Sequence, residues 1–515
     1  MWLTVPMQHA NRCYSSLLST RPLMAIKSRQ LHGPTGFRQA RREEGASMVE
    51  KRPYFPSLKV DLQDEATVVN AAKVILSCVE EIKVDEINTK IDANNATTTA
   101  ISGGLTNALF RVDISDEQKP SSSTTSVLVR IFGAEGLIDR DTETANLARL
   151  CNSKGAVVHS QLDYLGRFGN GRIETLIPNV RAATICDFRE SEELVLEVTR
   201  QMARLHYGFD IPEYLIDRDS TLSCGGDGEG ESNCRQLQPV LWDVIKCWND
   251  ELITKITQVC SRDLRLVDIF CSALFGDTLQ FGHIVVDDGD GINKSALKEI
   301  ISQIAHMLNR ETQWIQDHVI EHHPDATIAF CHNDINAANI LINDGLDSGA
   351  GNGYHRDSVA LIDFEYGALN YTQYDMANFI CEHCGGNDTG RPDYELIPSL
   401  ELQRKLVKEY IQERDRVLNN AAKHHVDEQK EVAKLLSQVQ TFQMVSHLYW
   451  GTWGILQGVT ELLDGRYEIE NVKSRLYSEI DADEWDNLRY GMNRLRRYRK
   501  HKQSKLETGQ KQMSY

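Results

Sequence analysis

Apolar side chains recur at helical spacing near the start of the chain, and strand-like runs follow. Over residues 64–84 they return every three or four positions, which predicts an amphipathic first helix. Residues 98–114 and 126–133 are rich in residues that favour strands, with a polar Ser/Thr turn over residues 120–125. A helix followed by paired strands is therefore expected to open the ordered part of the chain.

The same pattern predicts a further helix and two more strands before residue 180. The helix is expected over residues 141–150, and the strands near residues 157–164 and 172–177. These elements complete a small lobe built on a sheet. After Glu190 the pattern turns helical, and helices are expected to dominate residues 400–500.

Two stretches rich in glycine and acidic residues, residues 223–236 and 344–357, interrupt the later part of the chain as surface insertions. The second separates the short apolar runs 340–342 and 359–362, as the loop of a hairpin would. The predicted organisation has four parts: an extension over 1–60, an N-terminal lobe over 61–180, a C-terminal lobe over 181–500 and a polar tail over 501–515.

Charge narrows the classes of partner. The chain has 515 residues, 56 Lys and Arg against 74 Asp and Glu, and a net charge of −18, which argues against a general nucleic-acid binder. The acidic field suits a cationic substrate. A nucleotide remains possible, because phosphates are held by a few backbone amides and one or two cations.

Targeting and membrane signals are few. Residues 1–42 contain no acidic residue but seven Lys and Arg, which resembles a mitochondrial transit peptide; a disordered extension with an alternative start at Met48 is the other interpretation. We expect a cytoplasmic protein, or a mitochondrial one if residues 1–47 are a transit peptide. No run approaches ~18 apolar residues, so no stable membrane insertion is expected. The twelve cysteines are interpreted as reduced, buried thiols.

The most informative pattern is H-x-D-x-x-x-x-N followed by an apolar run that ends in D-F. It places His332, Asp334 and Asn339 in one segment and Asp363 after the next predicted strand. Each residue alone could be an ordinary loop or cap residue. Phosphoryl transfer needs a carboxylate that accepts the hydroxyl proton and oxygen ligands for Mg²⁺, and this spacing supplies both. Asp334 is the predicted base, Asn339 and Asp363 are the predicted metal ligands, and His332 is expected to brace the loop.

A nucleotide site is expected in the N-terminal lobe. Small and polar residues that could approach phosphates are Gly103, Gly104, Thr106 and Asn107, although a plain hairpin turn explains these residues better when they are taken alone. Arg130 lies in an otherwise apolar strand, where a charge is costly unless it is paired. We predict that Arg130 meets both a phosphate and a carboxylate, with Glu143 as the candidate carboxylate.

These residues resemble the choline/ethanolamine kinase family over about residues 65–500. The strings that carry the resemblance are residues 103–107, 127–131, 171–174, 203–206, 332–339, 363–366 and 446–457. The resemblance implies an α+β, bilobal protein-kinase-like (aminoglycoside phosphotransferase-like) fold with a small antiparallel-sheet N-lobe and a mainly helical C-lobe. It further implies ATP and Mg²⁺ as cofactors, a nucleotide contact at Asn336, and a possible homodimer.

The family's amine site is made by a carboxylate and aromatic rings, which fall here on Tyr366, Glu382, Trp450 and Trp453. Helix packing in a core is the alternative interpretation of the two tryptophans. Choline kinases carry aromatic residues after the pocket glutamate, whereas residues 383–386 read His-Cys-Gly-Gly, which looks like ethanolamine kinases.

Some positions depart from the family pattern. Ile397 stands where a tyrosine is usual, the later pocket tyrosine falls near Glu470 or Asn471, and Thr175 replaces a hinge glutamine. Ethanolamine is nevertheless the predicted substrate, and its phosphorylation would begin phosphatidylethanolamine synthesis from the free amine. Choline kinase is the main alternative, with an aminoglycoside-type phosphotransferase further away.

Other classes fit less well. A protein kinase is disfavoured because the chain has no G-x-G-x-x-G, no strand lysine and no A-P-E, and Glu365 replaces the glycine of D-F-G. An inactive nucleotide-binding scaffold fits poorly with an intact set of acidic residues. An assembly partner of lipid enzymes has no motif behind it.

Overall fold

The structure is a computed structural model that describes residues 52–79, 96–101, 107–115, 124–133, 139–153, 158–211, 215, 237–263, 265–275, 294–343, 354, 358–386, 390–419, 428–466, 468–476 and 485–513. These form two compact units, one ending at Asn179 and the other made of Val158 and the residues from Val180 onward. Several predictions fall outside the described residues: the segment 1–47, Gly103, Gly104 and Thr106, the insertion 223–236 and nearly all of 344–357.

The N-terminal unit is built on a six-stranded sheet. Its elements are β1 (Tyr54–Phe55), α1 (Glu65–Leu76), β2 (Ala96–Ile101), β3 (Asn107–Ser115), β4 (Thr124–Phe132), α2 (Arg140–Cys151), β5 (Tyr164–Phe168) and β6 (Gly171–Thr175). The strand order is β1-β5-β6-β4-β3-β2, and all neighbours are antiparallel except β1 and β5. Ala72 and Ile75 of α1 share the core with the strand residues Val129 and Ile173.

The strands predicted for this unit are present, but one begins later than predicted. The β-prone residues of 98–114 lie in two strands, β2 and β3, which pair with Ile101 opposite Leu109. The strand near 157–164 begins only at Tyr164, because residues before it form a turn that the Leu162 N–H closes on the His159 carbonyl at 3.0 Å. Tyr54 and Phe55, within the stretch 1–60 given to the predicted extension, form β1 and pair with β5.

The C-terminal unit is mainly helical. Its helices are α3 (Ile185–Glu190), α4 (Glu192–Gly208), α5 (Leu241–Arg262), α6 (Arg265–Phe275), α7 (Lys294–His322), α8 (Thr372–Glu382), α9 (Leu400–Val417), α10 (Glu428–Leu463), α11 (Val472–Leu476) and α12 (Asn487–Met513). Its short strands are β7 (Arg181–Ala182), β8 (Ile328–Cys331), β9 (Ile340–Ile342), β10 (Val359–Leu361) and β11 (Ala368–Tyr371). β9 pairs with β10 and β7, and β8 pairs with β11. The predicted hairpin is confirmed by the β9–β10 pair.

Helices α10 and α12 pack backbone against backbone. A Cβ on Gly454 would lie 2.7 Å from the Gly491 Cα, and a Cβ on Gly491 would lie 2.5 Å from the Ile455 nitrogen. Any side chain at these two glycines would force the helices apart. α12 continues to Met513, so most of the tail predicted over 501–515 is helical.

The predicted fold class is confirmed, and the prediction for the cysteines is confirmed only in part. An α+β chain with a small, largely antiparallel sheet and a mainly helical C-terminal unit is confirmed. The cysteines of the described chain are free, as predicted, but Cys78, Cys186 and Cys247 are exposed rather than buried. Among the described helices, none combines the length and the apolar character needed to cross a bilayer.

Candidate active site

The loop after β8 carries the predicted base. β8 is held against β11 with Cys331 opposite Ala368, and the chain then turns through Asn333, which has a left-handed backbone (φ 67°). Asparagine adopts this conformation more readily than most residues, at a cost of roughly 1 kcal/mol. Asn333 is fixed there because its Nδ2 donates to the Tyr366 carbonyl at 2.9 Å and its Oδ1 accepts from Asn370 at 2.7 Å.

The Asp334 carboxylate is held by two neighbouring amides. Oδ1 accepts from Asn336 Nδ2 at 3.0 Å, and Oδ2 accepts from Asn339 Nδ2 at 2.9 Å. Burial raises the pKa of Asp334 well above its usual range; the charge of Glu382 adds to the rise and the hydrogen bond from Asn336 opposes it. Both carboxylate oxygens are therefore oriented, and the ionised form is a stronger base than an exposed aspartate.

His332 is a fully buried brace. Its Nε2–H donates to the Ile362 carbonyl at 2.8 Å, and its Nδ1 accepts from the Asp334 backbone N–H at 3.2 Å. One neutral tautomer satisfies both bonds, and burial lowers the pKa of His332. The side chain therefore joins the loop to the strand that leads to Asp363 and holds the backbone of Asp334.

Asp375, in the first turn of α8, is a functional residue that the sequence analysis missed. Its carboxylate accepts the backbone N–H groups of His332 and Asn333, each at 2.7 Å, and it also lies 3.0 Å from His206 Nε2. The other ring nitrogen of His206 is 2.7 Å from the Tyr410 hydroxyl. Asp375 thus anchors the loop. No local signal in the sequence pairs it with a loop some forty positions earlier.

Asn339 and Asp363 are brought together by the backbone. The Ile362 N–H donates to the Asn339 carbonyl at 3.0 Å, and Asp363 follows at the end of β10 with a left-handed backbone (φ 65°). The Asn339 amide nitrogen is committed to Asp334, so within the described chain its amide oxygen is left to accept. An amide oxygen and a carboxylate are hard ligands of the type that Mg²⁺ prefers, and they fit the predicted metal site.

Asn336 also belongs to this loop. Its amide nitrogen donates to Asp334 and its amide oxygen accepts from the Ala338 N–H at 2.9 Å, which caps a short 3-10 turn over Ala337–Asn339. Both ends of the side chain are therefore used locally. The nucleotide contact expected at Asn336 stays a prediction.

Aromatic rings meet next to the loop. The ring centroids of Tyr366 and Trp450 are 5.5 Å apart, and those of Trp450 and Trp453 are 5.7 Å apart, both edge to face. Tyr490 extends the group, 6.3 Å from Trp453. Such a cluster packs well as a core and also presents ring faces on which a cation is stabilised by about 0.5–2 kcal/mol.

Glu382, at the end of α8, is buried and paired. Arg494 of α12 donates from Nη1 to its Oε1 at 3.0 Å. Burial raises the pKa of Glu382, and Arg494 opposes the rise. Arg494 is a second residue that the sequence analysis missed, because it lies in a basic run outside the strings that carry the family resemblance. The apolar residues Leu488, Met492 and Leu495 on the same helix are the signal that one face is buried.

The N-terminal unit contains a separate buried cluster of charges. Arg130 Nε donates to Glu174 at 3.0 Å, Arg172 joins Glu174 and Glu143 at 2.6 Å each, and Arg140 also binds Glu143. Burial opposes the ionisation of Glu174, but Arg130 and Arg172 outweigh it and lower the pKa of Glu174 to about 2. Glu174 is thus a partner of Arg130 that the sequence analysis missed, and the predicted partner Glu143 lies in the same buried cluster, where Arg172, Arg140 and Arg130 all lower its pKa against the effect of burial.

The other predicted nucleotide residues are described only in part. Asn107 is buried at the first position of β3, opposite Phe132 of β4. Thr175, which was named only as a departure from the family pattern, lies at the end of β6, and its hydroxyl accepts from the Asp163 N–H at 2.7 Å.

The chain is similar in sequence to known choline and ethanolamine kinases. A family model described as choline/ethanolamine kinase matches residues 98–499. A probable ethanolamine kinase of Arabidopsis thaliana is 26% identical over 383 residues, which cover 73% of this chain and 77% of that protein. Probable choline kinase 2 of the same plant is 25% identical over 382 residues, with 73% and 83% covered. Ethanolamine kinase 1 of Mus musculus is 32% identical over 168 residues, 33% of this chain and 41% of the mouse protein.

Solved structures show the same fold. An ethanolamine kinase of Plasmodium vivax superposes with a TM-score of 0.51 at 18% identity, covering 93% of this chain and 96% of that one. A choline kinase of Cryptosporidium parvum gives a TM-score of 0.50 at 19% identity, with 87% and 97% covered. The family match spans most of the chain, and the protein belongs to the choline/ethanolamine kinase family.

Proposed function

We propose that the protein transfers the γ-phosphate of ATP to the hydroxyl of ethanolamine, which forms phosphoethanolamine and starts phosphatidylethanolamine synthesis from the free amine. Membership of a kinase family implies ATP as the phosphate donor. The observation that carries the proposal is the Asp334 carboxylate, oriented by Asn336 and Asn339 and electrostatically coupled to Glu382.

Asp334 acts as the base in this proposal. It accepts the proton of the substrate hydroxyl as the hydroxyl oxygen attacks the γ-phosphorus, the bond to the bridging oxygen breaks, and ADP leaves. The transfer is direct and in line, and it needs no covalent intermediate on the enzyme. The raised pKa of Asp334 favours proton acceptance once the group is ionised.

Asn339 and Asp363 would hold Mg²⁺. When bound, the ion neutralises charge on the phosphates. The chain's own contribution is placement, because the Ile362 N–H ties the backbone of Asn339 to the residue before Asp363. Arg130 of the N-terminal unit is proposed to bind a nucleotide phosphate, together with Asn107 and the preceding glycines.

The ammonium group would be bound by Glu382 and by the faces of Tyr366, Trp450 and Trp453. Ethanolamine offers three N–H donors, and the Glu382 Oε2 accepts no hydrogen bond within the described residues. His383, next in sequence, packs its ring on Phe188 and Phe379 at 5.0 and 4.8 Å. Residues 383–386 add no Phe, Tyr or Trp ring, which favours a primary amine.

Choline is the second candidate. The edge-to-face group of Tyr366, Trp450 and Trp453 is a feature that would also suit a quaternary ammonium, which relies on ring faces because it has no N–H. An inactive nucleotide-binding scaffold is the candidate outside enzymes. It predicts ATP binding without any amine-dependent release of ADP.

Replacement of the base tests the proposal. Asp334→Asn should lower amine-dependent ADP release by about a thousandfold while ATP binding is retained, because the amide cannot accept the proton. Asp325→Asn is a matched control, since it removes a carboxylate that pairs with Lys434 outside the loop. Turnover of the Asp334→Asn protein at a rate near that of the control would exclude Asp334 as the base.

A further inference from the structure

We propose that Arg494 is a positioning residue of the amine site, which fixes the Glu382 carboxylate and, through Ser446 and Asn378, the indole of Trp450, and so sets the preference for primary over quaternary amines. This inference rests on the proposed function of the site. Glu382 and Trp450 are the groups that would contact the substrate, and Arg494 acts through them.

The first branch of the network is the buried ion pair. The side chains of Glu382 and Arg494 are only 7% and 2% exposed, and the hydrogen bond between them uses one carboxylate oxygen, Oε1. A buried carboxylate without a cation would tend to take up a proton. Arg494 therefore favours the ionised form of Glu382 and fixes the carboxylate plane, so that Oε2 remains available to a ligand.

The second branch runs from the same guanidinium to an aromatic ring. Arg494 Nη2 donates to Ser446 Oγ at 2.9 Å, and the serine hydroxyl donates to Asn378 Oδ1 at 2.9 Å. The indole N–H of Trp450 donates to the same Asn378 oxygen at 2.7 Å. These three hydrogen bonds form a connected series from the guanidinium to the indole. The orientation of the indole therefore depends on the position of the arginine.

Asn378 also reaches the catalytic loop. Its Nδ2 donates to the carbonyl of Ile335, which follows Asp334, at the longer distance of 3.4 Å. Asn378 and Glu382 belong to α8, Ser446 and Trp450 belong to α10, and Arg494 belongs to α12. One network therefore joins three helices and the loop of the predicted base.

The helix packing fixes where the guanidinium lies. Gly454 of α10 and Gly491 of α12 meet with no room for a Cβ, and Arg494 lies one helical turn after Gly491. A planar guanidinium can donate to a carboxylate and to a hydroxyl at once, in directions that the compact ammonium of lysine does not reproduce. This geometry explains why the buried cation is an arginine, since a simple counter-charge for Glu382 would not need two N–H donors in fixed directions.

The two branches should affect the two amines to different extents. Ethanolamine can donate an N–H to Glu382, whereas choline has no N–H and depends on the ring faces. Loss of Arg494 should therefore weaken ethanolamine more than choline. Loss of the Ser446 hydroxyl, which leaves the ion pair intact, should loosen Trp450 and weaken both amines by a similar factor.

The inference is tested by measuring how each amine binds to the full-length protein in the absence of ATP, with the quenching of tryptophan fluorescence as the readout. Arg494→Met should lower affinity for ethanolamine by about tenfold or more, the scale of one lost charge-assisted hydrogen bond, and affinity for choline by less than about threefold. Arg494→Lys should recover part of the ethanolamine affinity. Ser446→Ala should reduce both affinities by a few fold.

Arg497→Met is the control. Arg497 lies on the same helix and its guanidinium stacks over Tyr394 at 4.8 Å, so the variant removes the same charge without touching the ion pair. It should leave the ratio of the two affinities unchanged. If Arg494→Met proves too unstable to measure, Arg494→Lys and Ser446→Ala carry the comparison.

The outcomes separate the inference from the proposed reaction. Equal losses for both amines in Arg494→Met and Arg494→Lys would overturn the inference, because a purely structural role predicts them. Binding of neither amine by the wild-type protein would overturn it as well. Selective binding by the wild-type protein without turnover would support the inference and contradict only the proposed reaction.

Discussion

The carboxyl group of Asp334 lies in surroundings that disfavour its ionised form. Burial is the largest cause of its raised pKa, and Glu382, Glu365 and Asp363 all add to the rise. The hydrogen bond from Asn336 offsets only part of it. Groups that act in catalysis are often kept in such costly surroundings, so we expect this position to reduce the stability of the fold.

The stability of the protein should therefore depend on pH through Asp334. The folded state holds the Asp334 proton more tightly than the unfolded chain, so this contribution is full below the ordinary pKa of 3.8 and is lost as pH rises through the raised value. Asp334→Asn removes the loss. Its free energy of unfolding relative to wild type should rise with pH in urea titrations from about pH 4 upward.

Asp325 provides a control of opposite sign. The hydrogen bond from Lys434 lowers the pKa of Asp325, so its contribution is present above pH 3.8 and is lost as pH falls. Asp325→Asn should therefore lose stability relative to wild type as pH rises through that range. A pH-independent difference between Asp334→Asn and wild type would contradict the electrostatic account of Asp334.

At the scale of elements, one face of α8 organises the candidate site. Asp375, Asn378 and Glu382 lie at positions i, i+3 and i+7, which face the same side of a helix. Asp375 holds the backbone of the loop, Asn378 accepts from Trp450, and Glu382 pairs with Arg494. The helix therefore fixes the base and the amine-binding groups relative to each other.

Asp375→Asn tests the role of this helix. The amide would present N–H groups where the backbone of His332 and Asn333 requires acceptors, at a cost of about 1–3 kcal/mol in the free energy of unfolding. Because the loop carries the predicted base, kcat should fall by about ten- to a hundredfold with little change in the KM for ATP. Loss of stability with an unchanged kcat would contradict the positioning role.

Local sequence patterns predicted the helices and strands better than the long-range contacts between residues. The spacing from His332 to Asp363 and the β9–β10 hairpin follow from short-range signals, because strand runs and turn residues lie close together in sequence. The turn before Tyr164 lies between the β-prone residues Val158 and Tyr164, so the local pattern predicts a strand that begins too early. A turn closed by a backbone hydrogen bond leaves little trace in composition.

Long-range pairing could not be derived from the sequence. Only Glu143 was expected to meet Arg130, whereas Glu174 on the neighbouring strand β6 also binds it, because strand register brings that carboxylate within reach. Arg494 lies 112 positions from its partner Glu382. Nothing near either residue signals the other, because the pairing depends on how α12 packs against α10.

At the scale of the whole molecule, the net charge of −18 coexists with arginines that are committed to internal pairs. Arg172 is buried with Glu143 and Glu174 in the N-terminal unit, and Arg494 with Glu382 in the C-terminal unit. These pairs leave the overall excess negative charge unchanged. An acidic protein attracts a small cation over long range, which suits an amine substrate.

ADP release by the purified protein, with Mg·ATP and either ethanolamine or choline in parallel reactions, tests both the proposed reaction and its substrate preference. We expect turnover with each amine in its own reaction, and a kcat/KM for ethanolamine at least about tenfold higher than for choline, a ratio equivalent to one well-formed hydrogen bond from the ammonium. Equal or better use of choline would contradict the preference derived from Glu382, and no amine-dependent turnover would contradict the proposed reaction.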